Sequence, residues 1–467
     1  MEMKQESQRI WPSLRDAIRG TGQDYTEGSI GRAVLLLAVP MVLETFMESV
    51  FAVVDIFWVS RLGSAAMATV GLTEAMLTLL YSVAIGLSMG AAAVVARRTG
   101  EKDSEGAANA AVQAIVMGII LALPIGVSGL LFAKPLLRLM GATPDVIQQG
   151  AGYTAVMFGG NATILLLFLI NAIFRGAGDA VIAMRVLWFA NAINILLGPC
   201  LIFGLGPFPE LGVTGAAIAT NIGRGSGVIF QILHLVRKNG RLRIGRQNLR
   251  LDFGVMKTIV RISGTGIVQS LIGMTSWLGL IRILSGFGSA AVAGYTVGIR
   301  IIAFAILPSW GMSNAAATLV GQNLGAGKPD RAEESVWMTC RYNLFFLGSI
   351  GILFVILAGP IISLFTKDPL IAPYGVRCLR IVSYGFFFYA YGMVLTQAFN
   401  GAGDTWTPTL INMFCFWLWE IPLGYILART LGFGPSGVFA AIMIAFSTLA
   451  VVSAIVFRKG RWKYHKV

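Results

Sequence analysis

Hydrophobic positions along this chain fall into long runs, which short polar or glycine-rich segments separate. A helix that crosses a bilayer needs about 20 mostly apolar residues, and twelve of these runs reach about that length. The pattern therefore predicts an all-α integral membrane protein with twelve transmembrane helices. The predicted spans are residues 32–59, 64–96, 107–133, 147–174, 181–205, 212–236, 255–285, 289–320, 334–365, 371–399, 407–431 and 437–457.

The same pattern occurs twice along the chain. The sequence FRGAGD at 174–179 returns as FNGAGD at 399–404, GSAA at 63–66 returns at 288–291, and Gly100 corresponds to Gly325, always 225 residues later. We infer a tail at residues 1–31, an N-lobe of six spans at 32–245 and a C-lobe of six spans at 246–467. Internal repeats of apolar helices are typical of secondary transporters, whose halves move around a site between them.

The charge content of the chain and the positions of its basic residues exclude a soluble protein that binds nucleic acid. The chain is 56% hydrophobic and 12% charged, whereas soluble domains carry about 25% charged residues. The net charge of +14 would suggest nucleic acid in a soluble protein, but the basic residues concentrate in the tails and in loops after even-numbered spans, most densely at 237–261. The positive-inside rule then places both termini and this linker in the cytoplasm of a plasma-membrane protein that binds no nucleic acid.

The first 30 residues are polar, and no cleavable signal peptide is visible. Trp11, Leu14 and Ile18 at helical spacing predict a short interfacial helix, with a disordered tail as the alternative. The four cysteines occur singly and form no metal or disulfide pattern, and two histidines leave little material for a catalytic or metal site. We therefore expect no cofactor.

The repeated Gly-Ala-Gly-Asp sequence suggests one enzyme hypothesis. Intramembrane aspartyl proteases carry Gly-x-Gly-Asp in a membrane helix, opposite a second aspartate in a neighbouring span. Here Asp179 and Asp404 both fall where an even-numbered span ends and the next loop begins, with no such partner at membrane depth. A helix end with a glycine turn and an aspartate that caps the next helix explains both copies, so we predict that the chain is not an enzyme.

The first predicted span contains three carboxylates. Glu44, Glu48 and Asp55 lie within about 40° of one another on an α-helix. Each would cost about 2.5–3.5 kcal/mol at the centre of a bilayer, so they should face a water-filled cavity or bind a cation or proton. Glu74 in the second span is a fourth acid that could face the same site.

Further polar residues lie at membrane depth. Asn191, Asn194 and Gly198 share one face of the fifth span. They either line an interior or merely hold the helices together by hydrogen bonds. The other polar residues that we single out are Asn171 and Thr220 in the N-lobe and Arg300, Gln397 and Glu420 in the C-lobe.

Several of these segments resemble the multidrug and toxic compound extrusion (MATE) family, and the bacterial DinF-like branch most of all. The resemblance rests on VDIFWVSRLG at 54–63 after Pro40, on ARRTG at 96–100, and on the paired glycine turns, and it extends from about residue 30 to 457. It implies two six-helix lobes around a central cavity that exports organic, cationic or amphipathic compounds in exchange for protons or sodium ions. The partners would be small organic substrates and the lipid bilayer, and we expect a monomer.

The resemblance also implies roles for single residues. Asp55 matches the coupling aspartate of the first span and could bind a sodium ion, Arg300 matches an arginine of the eighth span, and the polar network of the N-lobe maps onto Asn171, Asn194 and Thr220. Two positions depart from the family: Gly198 stands where a second acid is frequent, and Phe51 where tyrosine is frequent. We therefore expect a rearranged coupling site in which first-span glutamates replace the lost acid, and we place Phe51, Arg300, Gln397 and Glu420 around the substrate cavity.

A second function fits the same architecture. Flippases for lipid-linked sugars or peptidoglycan precursors resemble this family, but they should line their cavity with several Arg and Lys residues to hold pyrophosphate. This chain offers mainly Arg300 and Arg224 at membrane depth, while acids dominate. The sequence therefore favours an exporter over a flippase.

Overall fold

The computed structural model describes residues 15–20, 23–237, 240–465 and 467. Long helices dominate these ranges, and the other regular elements there are two short 3₁₀ turns and a helical turn at residues 15–19. The helices are α1 Ile30–Ser60, α2 Ser64–Gly100, α3 Ser104–Leu139, α4 Pro144–Gly159, α5 Asn161–Gly176, α6 Ala180–Phe203, α7 Gly212–Val236, α8 Phe253–Ser285, α9 Ser289–Gly325, α10 Pro329–Ser363, α11 Ala372–Tyr384, α12 Phe386–Gly401, α13 Trp406–Thr430 and α14 Pro435–Arg458.

These helices correspond to the twelve predicted spans. Nine are long and apolar enough to cross a membrane by themselves, and the bent pairs α4–α5 (40°) and α11–α12 (59°) raise that number to eleven within the described residues. The twelfth is α7, 25 residues long, which is less apolar because it carries Asn221, Arg224 and Gln231. Six spans precede the basic linker and six follow it, so the fold class is confirmed, while the exact lobe boundaries stay a prediction.

The two lobes meet through α1 against α9 and α2 against α8. Small residues allow this close approach: side chains on Gly86 or Gly90 would collide with α8 near Ser263. The repeated pair Gly100 and Gly325 does the same at the helix ends. A Cβ on Gly100 would overlap the backbone of Gln322, and one on Gly325 would overlap that of Arg97.

The described residues just before α1 and those after α14 lie on the same face of the protein, called here the terminal face. The segment before α1 crosses it, where Lys328 Nζ donates to the Thr26 carbonyl (3.0 Å) and Arg331 to the Gly28 carbonyl (2.9 Å). Tyr25 is buried there. Hydrogen bonds between the lobes in the described chain run from this face to mid-span, including Gln322 to the Gly176 carbonyl (2.9 Å). The lobes are therefore closed on the terminal face.

Two local features remain, the predicted interfacial helix of the tail and the irregular turns of α13. Trp11 and Leu14 of the predicted interfacial helix lie outside the described residues, while residues 15–19 are helical and Ile18 is exposed. Helix α13 is not regular throughout, because its turns at Met413–Glu420 and Ile426–Thr430 are π-helical. Glu420 lies at the end of the first π segment, and such segments are frequent at functional sites.

Candidate functional site

A cavity between the lobes has two adjoining compartments, of about 360 and 380 Å³. The first, the N-compartment, is lined by Glu44, Glu48 and Arg175; the second, the C-compartment, is lined by Glu420. The two linings share Ile85, Met89, Trp310 and Gln397. The structure thus brings predicted acids from both lobes to one interior space.

Glu44 is neutralised by an arginine that the sequence analysis did not assign to it. Arg175, from the first Gly-Ala-Gly-Asp turn, donates to Glu44 Oε1 at 2.6 Å, and Asn171 Nδ2 donates to the same oxygen at 3.0 Å. Gln231 fixes Asn171 by donating to its Oδ1 at 2.7 Å. The other carboxylate oxygen of Glu44, Oε2, is buried and accepts no hydrogen bond from the described chain.

Glu48 also faces a buried arginine. Arg224 on α7 is 5% exposed, and its guanidinium lies 3.4 Å from Glu48 Oε1 and 3.4 Å from the Tyr81 hydroxyl. Asn191 Nδ2 lies 3.4 Å from Glu48 Oε2. The ring of Phe51 packs 5.6 Å from the Arg224 guanidinium carbon, as in a cation–π contact. Phe51 is therefore a buried support for Arg224, and it is absent from the linings of both compartments.

Asp55 and Glu74 have no such partner. Both are half-buried, and neither forms a hydrogen bond or an ion pair with its side chain in the part of the chain that the structure describes. Each lies within electrostatic reach of the shared Arg224, and Asp55 also of Glu74. Space is open at Gly198 on α6, because a Cβ there would meet nothing within 4 Å. The acids without their own arginine are thus Asp55 and Glu74, rather than Glu44 and Glu48.

The polar network expected in the N-lobe separates into two groups. Asn194 Nδ2 donates to Thr220 Oγ1 at 2.9 Å and joins α6 to α7. Asn171 belongs instead to the Glu44 group, and Asn191 reaches Glu48. Asn171 and Asn191 therefore position the charged groups, whereas Asn194 and Thr220 hold α6 against α7.

The C-lobe residues have different locations. Glu420 is 4% exposed and accepts from Ser276 Oγ at 2.7 Å, in a lining without Arg, Lys or His. Gln397 lines both compartments and accepts from Asn400 at 3.0 Å. Arg300, in contrast, is exposed on α9 and absent from both linings. Arg300 lies on a face of α9 that points away from both compartments. The structure therefore does not place this predicted cavity residue in the cavity.

The two Gly-Ala-Gly-Asp turns lie at helix ends on the terminal face. Asp404 caps the turn before α13 by accepting from the Thr407 backbone (3.1 Å) and hydroxyl (2.6 Å). Asp179 precedes α6 without a side-chain capping bond; its burial raises the pKa of the carboxyl, while the charge of Arg241 opposes that shift. Both aspartates lie at turns between helices, as expected, but the expected capping by the side chain is found for Asp404 and is wrong for Asp179.

Comparison with known proteins decides the family. The MatE family model matches residues 40–200 and, a second time, residues 262–426. The chain belongs to the MATE family. Members of this family are transporters and not enzymes, and the double match agrees with the internal repeat.

Similar proteins match between about three quarters and nearly all of the chain. "Probable multidrug resistance protein NorM" of Thermotoga maritima is 26% identical over 445 residues, covering 94% of each chain. An FAD transporter of Shewanella oneidensis is 28% identical and covers 73% of this chain and 75% of its own. A MATE multidrug resistance transporter solved in an outward-facing conformation has a TM-score of 0.88 at 25% identity, over 94% of this chain and 98% of its own. This chain is thus a multi-pass membrane transporter similar to multidrug efflux proteins.

Proposed function

We propose that this MATE protein exports organic, cationic or amphipathic compounds in exchange for protons or sodium ions, by alternating access between its lobes. The observation that carries the proposal is the uneven neutralisation of the N-lobe acids. Glu44 and Glu48 have arginine partners at 2.6 and 3.4 Å, whereas Asp55 and Glu74 share one distant guanidinium. A carboxylate at membrane depth without a countercharge is costly, so Asp55 and Glu74 are the groups to take up a proton or sodium ion.

This assignment changes the expected origin of the second coupling acid. Gly198 leaves open space where an acid is frequent in the family, and Glu74 on α2 contributes a carboxylate within electrostatic reach of Asp55. We infer that Asp55 and Glu74 exchange the coupling ion together. Glu44 and Glu48 act with their arginines as fixed ion pairs that shape the N-compartment.

The closed terminal face supports alternating access. Loops rich in Lys and Arg, such as the basic linker on that face, lie on the cytoplasmic side of a membrane. We therefore assign the tails and the closed side to the cytoplasmic side of the plasma membrane. The present conformation then corresponds to the state open to the outside, in which cargo leaves and coupling ions enter. Its likeness to the outward-facing MATE structure agrees with this orientation.

The C-compartment supports a cationic cargo. Its lining combines the buried Glu420 with aromatic side chains of Trp277, Trp310 and Tyr389, and contains no basic residue. Aromatic faces and a carboxylate together attract organic cations. A pyrophosphate cargo would require several basic groups, whereas the N-compartment offers only Arg175, already bonded to Glu44. The linings therefore favour an exporter over a flippase.

Counterflow in proteoliposomes tests the cargo class. Vesicles containing the purified protein and preloaded with unlabelled ethidium should take up labelled ethidium from outside, with no ion gradient imposed. Protein-free vesicles should not. If a panel of organic cations gives no counterflow, while a lipid-linked pyrophosphate is translocated, the flippase is the correct function.

Glu420→Gln should weaken binding of monovalent organic cations by about ten- to a hundredfold, because a charge-assisted contact contributes about 1.5–3 kcal/mol. The neutral amide keeps the size of the side chain and can still bond to Ser276. Equilibrium binding of ethidium to purified protein measures the effect. Glu210→Gln, an exposed acid outside both cavities, is the matched control; equal affinities for Glu420→Gln and wild type would exclude the cation role.

Gly100→Val should act as a wedge between the lobes and shift the protein away from the state closed on the terminal face. The added side chain would meet the backbone of Gln322, which cannot move aside as a flexible side chain can. Accessibility of single cysteines placed near Thr318 to a membrane-impermeant thiol reagent applied from the terminal face should rise. Gly264→Val, at a position where a Cβ meets nothing within 4 Å, should leave accessibility unchanged.

A further inference from the structure

A basic surface lies outside the cavity, where residues 240–252 connect the lobes and α8 begins. We call residues 243–261 the connector surface. It carries five exposed basic side chains: Arg243, Arg246, Arg250, Lys257 and Arg261. None of the five forms an ion pair or a side-chain hydrogen bond within the described residues. The proposed transport mechanism does not use them.

The same surface exposes large apolar side chains. Leu249 is 62%, Leu251 is 56% and Phe253 is 76% exposed, although each lies beside the start of a membrane-spanning helix. Such exposure is unfavourable in water, at about 25 cal/mol per Å² of apolar surface. Contact with the acyl chains at the boundary of a bilayer would remove these side chains from water, as happens for amphipathic segments at membrane interfaces.

The connector is held in a fixed position. The Ile244 amide donates to the Leu235 carbonyl (2.9 Å), and Gln113 Nε2 donates to the Arg250 carbonyl (2.8 Å). Leu242 is buried in the N-lobe core. Since the backbone is anchored to α7 and α3, the basic and apolar side chains of the connector surface are presented together rather than on a loose loop.

We propose that the connector surface binds the headgroup of an anionic phospholipid. The exposed leucines and Phe253 would enter the region of the acyl chains, while the arginines and Lys257 bind the phosphate. Arg261 lies eight residues into α8, about 12 Å along its axis, and its long side chain can reach back to the headgroup layer. A second copy of this chain is a poor occupant of the connector surface, because a symmetric contact would bring two sets of five basic side chains together and they would repel each other. Acids on this surface are few: the half-buried Asp252 already accepts hydrogen bonds from Asn109 and from the Gly254 and Val255 amides, and the exposed Glu105 lies beside the connector.

Native mass spectrometry of the whole protein in detergent tests the proposal, using phosphatidylglycerol and phosphatidylcholine as probes. The triple variant Arg246→Gln/Arg250→Gln/Lys257→Gln should bind its first phosphatidylglycerol about a hundredfold more weakly, since each basic residue contributes about fivefold. Binding of phosphatidylcholine should change little. The matched control is Lys134→Gln/Arg138→Gln/Arg282→Gln, an equal loss of exposed charge on the opposite face, which should keep the wild-type preference.

Three outcomes would overturn the assignment. The lipid site is wrong if the connector variant keeps the preference for phosphatidylglycerol, or if the control variant loses it equally. A dimer that disappears only in the connector variant would instead identify the surface as an interface between copies. Phe253→Ser keeps all charges and should weaken both lipids alike, and an unchanged thermal unfolding midpoint in detergent would show that the variants fold.

Discussion

Asp55→Asn should abolish gradient-driven export while leaving the folded yield near that of the wild type. Asparagine keeps the shape of the side chain but cannot exchange a proton or balance a sodium ion. Because Asp55 is half-buried and its side chain makes no hydrogen bond in the described chain, its replacement breaks no structural contact. The measurement is accumulation of ethidium by reconstituted protein under an imposed ion gradient, which should fall to the level of protein-free vesicles.

The control for Asp55 is Asp145→Asn, an exposed acid in the first turn of α4. It should transport as the wild type does. Glu74→Gln should resemble Asp55→Asn if the two acids exchange the ion together. Normal gradient-driven accumulation by Asp55→Asn would remove this residue from the coupling mechanism.

Arg224→Gln should cause a large loss of folded protein. The arginine is buried between Glu48, Tyr81 and Phe51, and its removal leaves the Glu48 carboxylate without a countercharge in the interior. Breaking a buried ion pair by removing one partner costs about 3–5 kcal/mol. The fraction that remains monodisperse in size-exclusion chromatography after heating measures the loss.

The double variant Glu48→Gln/Arg224→Gln separates charge from packing. It removes both charges, so it should recover most of the stability that Arg224→Gln loses. If the double variant is as unstable as the single one, Arg224 stabilises the lobe through packing against Phe51, and the Glu48 ion pair is unimportant.

Periodicity and repetition predicted the fold because they depend on local sequence. Every predicted span corresponds to a helix or a bent helix pair, and the 225-residue repeat reappears as Gly100 and Gly325 packed across the lobe boundary. Of the three first-span acids, Glu44 and Glu48 line the N-compartment, whereas Asp55 is in neither lining. The turns of α13 were less predictable, because π-helical segments leave little trace in an apolar sequence.

Pairing between charges was the part that sequence reasoning missed. Arg175 and Arg224 are separated from their glutamates by 131 and 176 residues, and no local pattern connects them. One signal was available: Glu44 and Arg175 correspond in the repeat to Gln269 and Asn400, which lack charge together. Two positions that carry opposite charges in one half of the repeat, and are both uncharged in the other half, are candidates for an ion pair.

Arg300 and Phe51 were misplaced for a related reason. Both were assigned to the cavity by their position in a family motif, and such a motif does not fix which way a helix faces. The exposure of Arg300 and the burial of Phe51 against Arg224 follow from how α9 and α1 are rotated against their neighbours. Tertiary packing determines that rotation.

The central claim, that an ion gradient drives an organic compound through this protein, is tested most directly by uptake into proteoliposomes. Wild-type protein should accumulate ethidium above its external concentration when a proton or a sodium gradient is imposed in the exchange direction, and the gradient that drives it identifies the coupling ion. Dissipating that gradient with an ionophore should return ethidium to equilibrium. Failure of both gradients to drive accumulation, in protein that shows counterflow, would contradict the antiport mechanism.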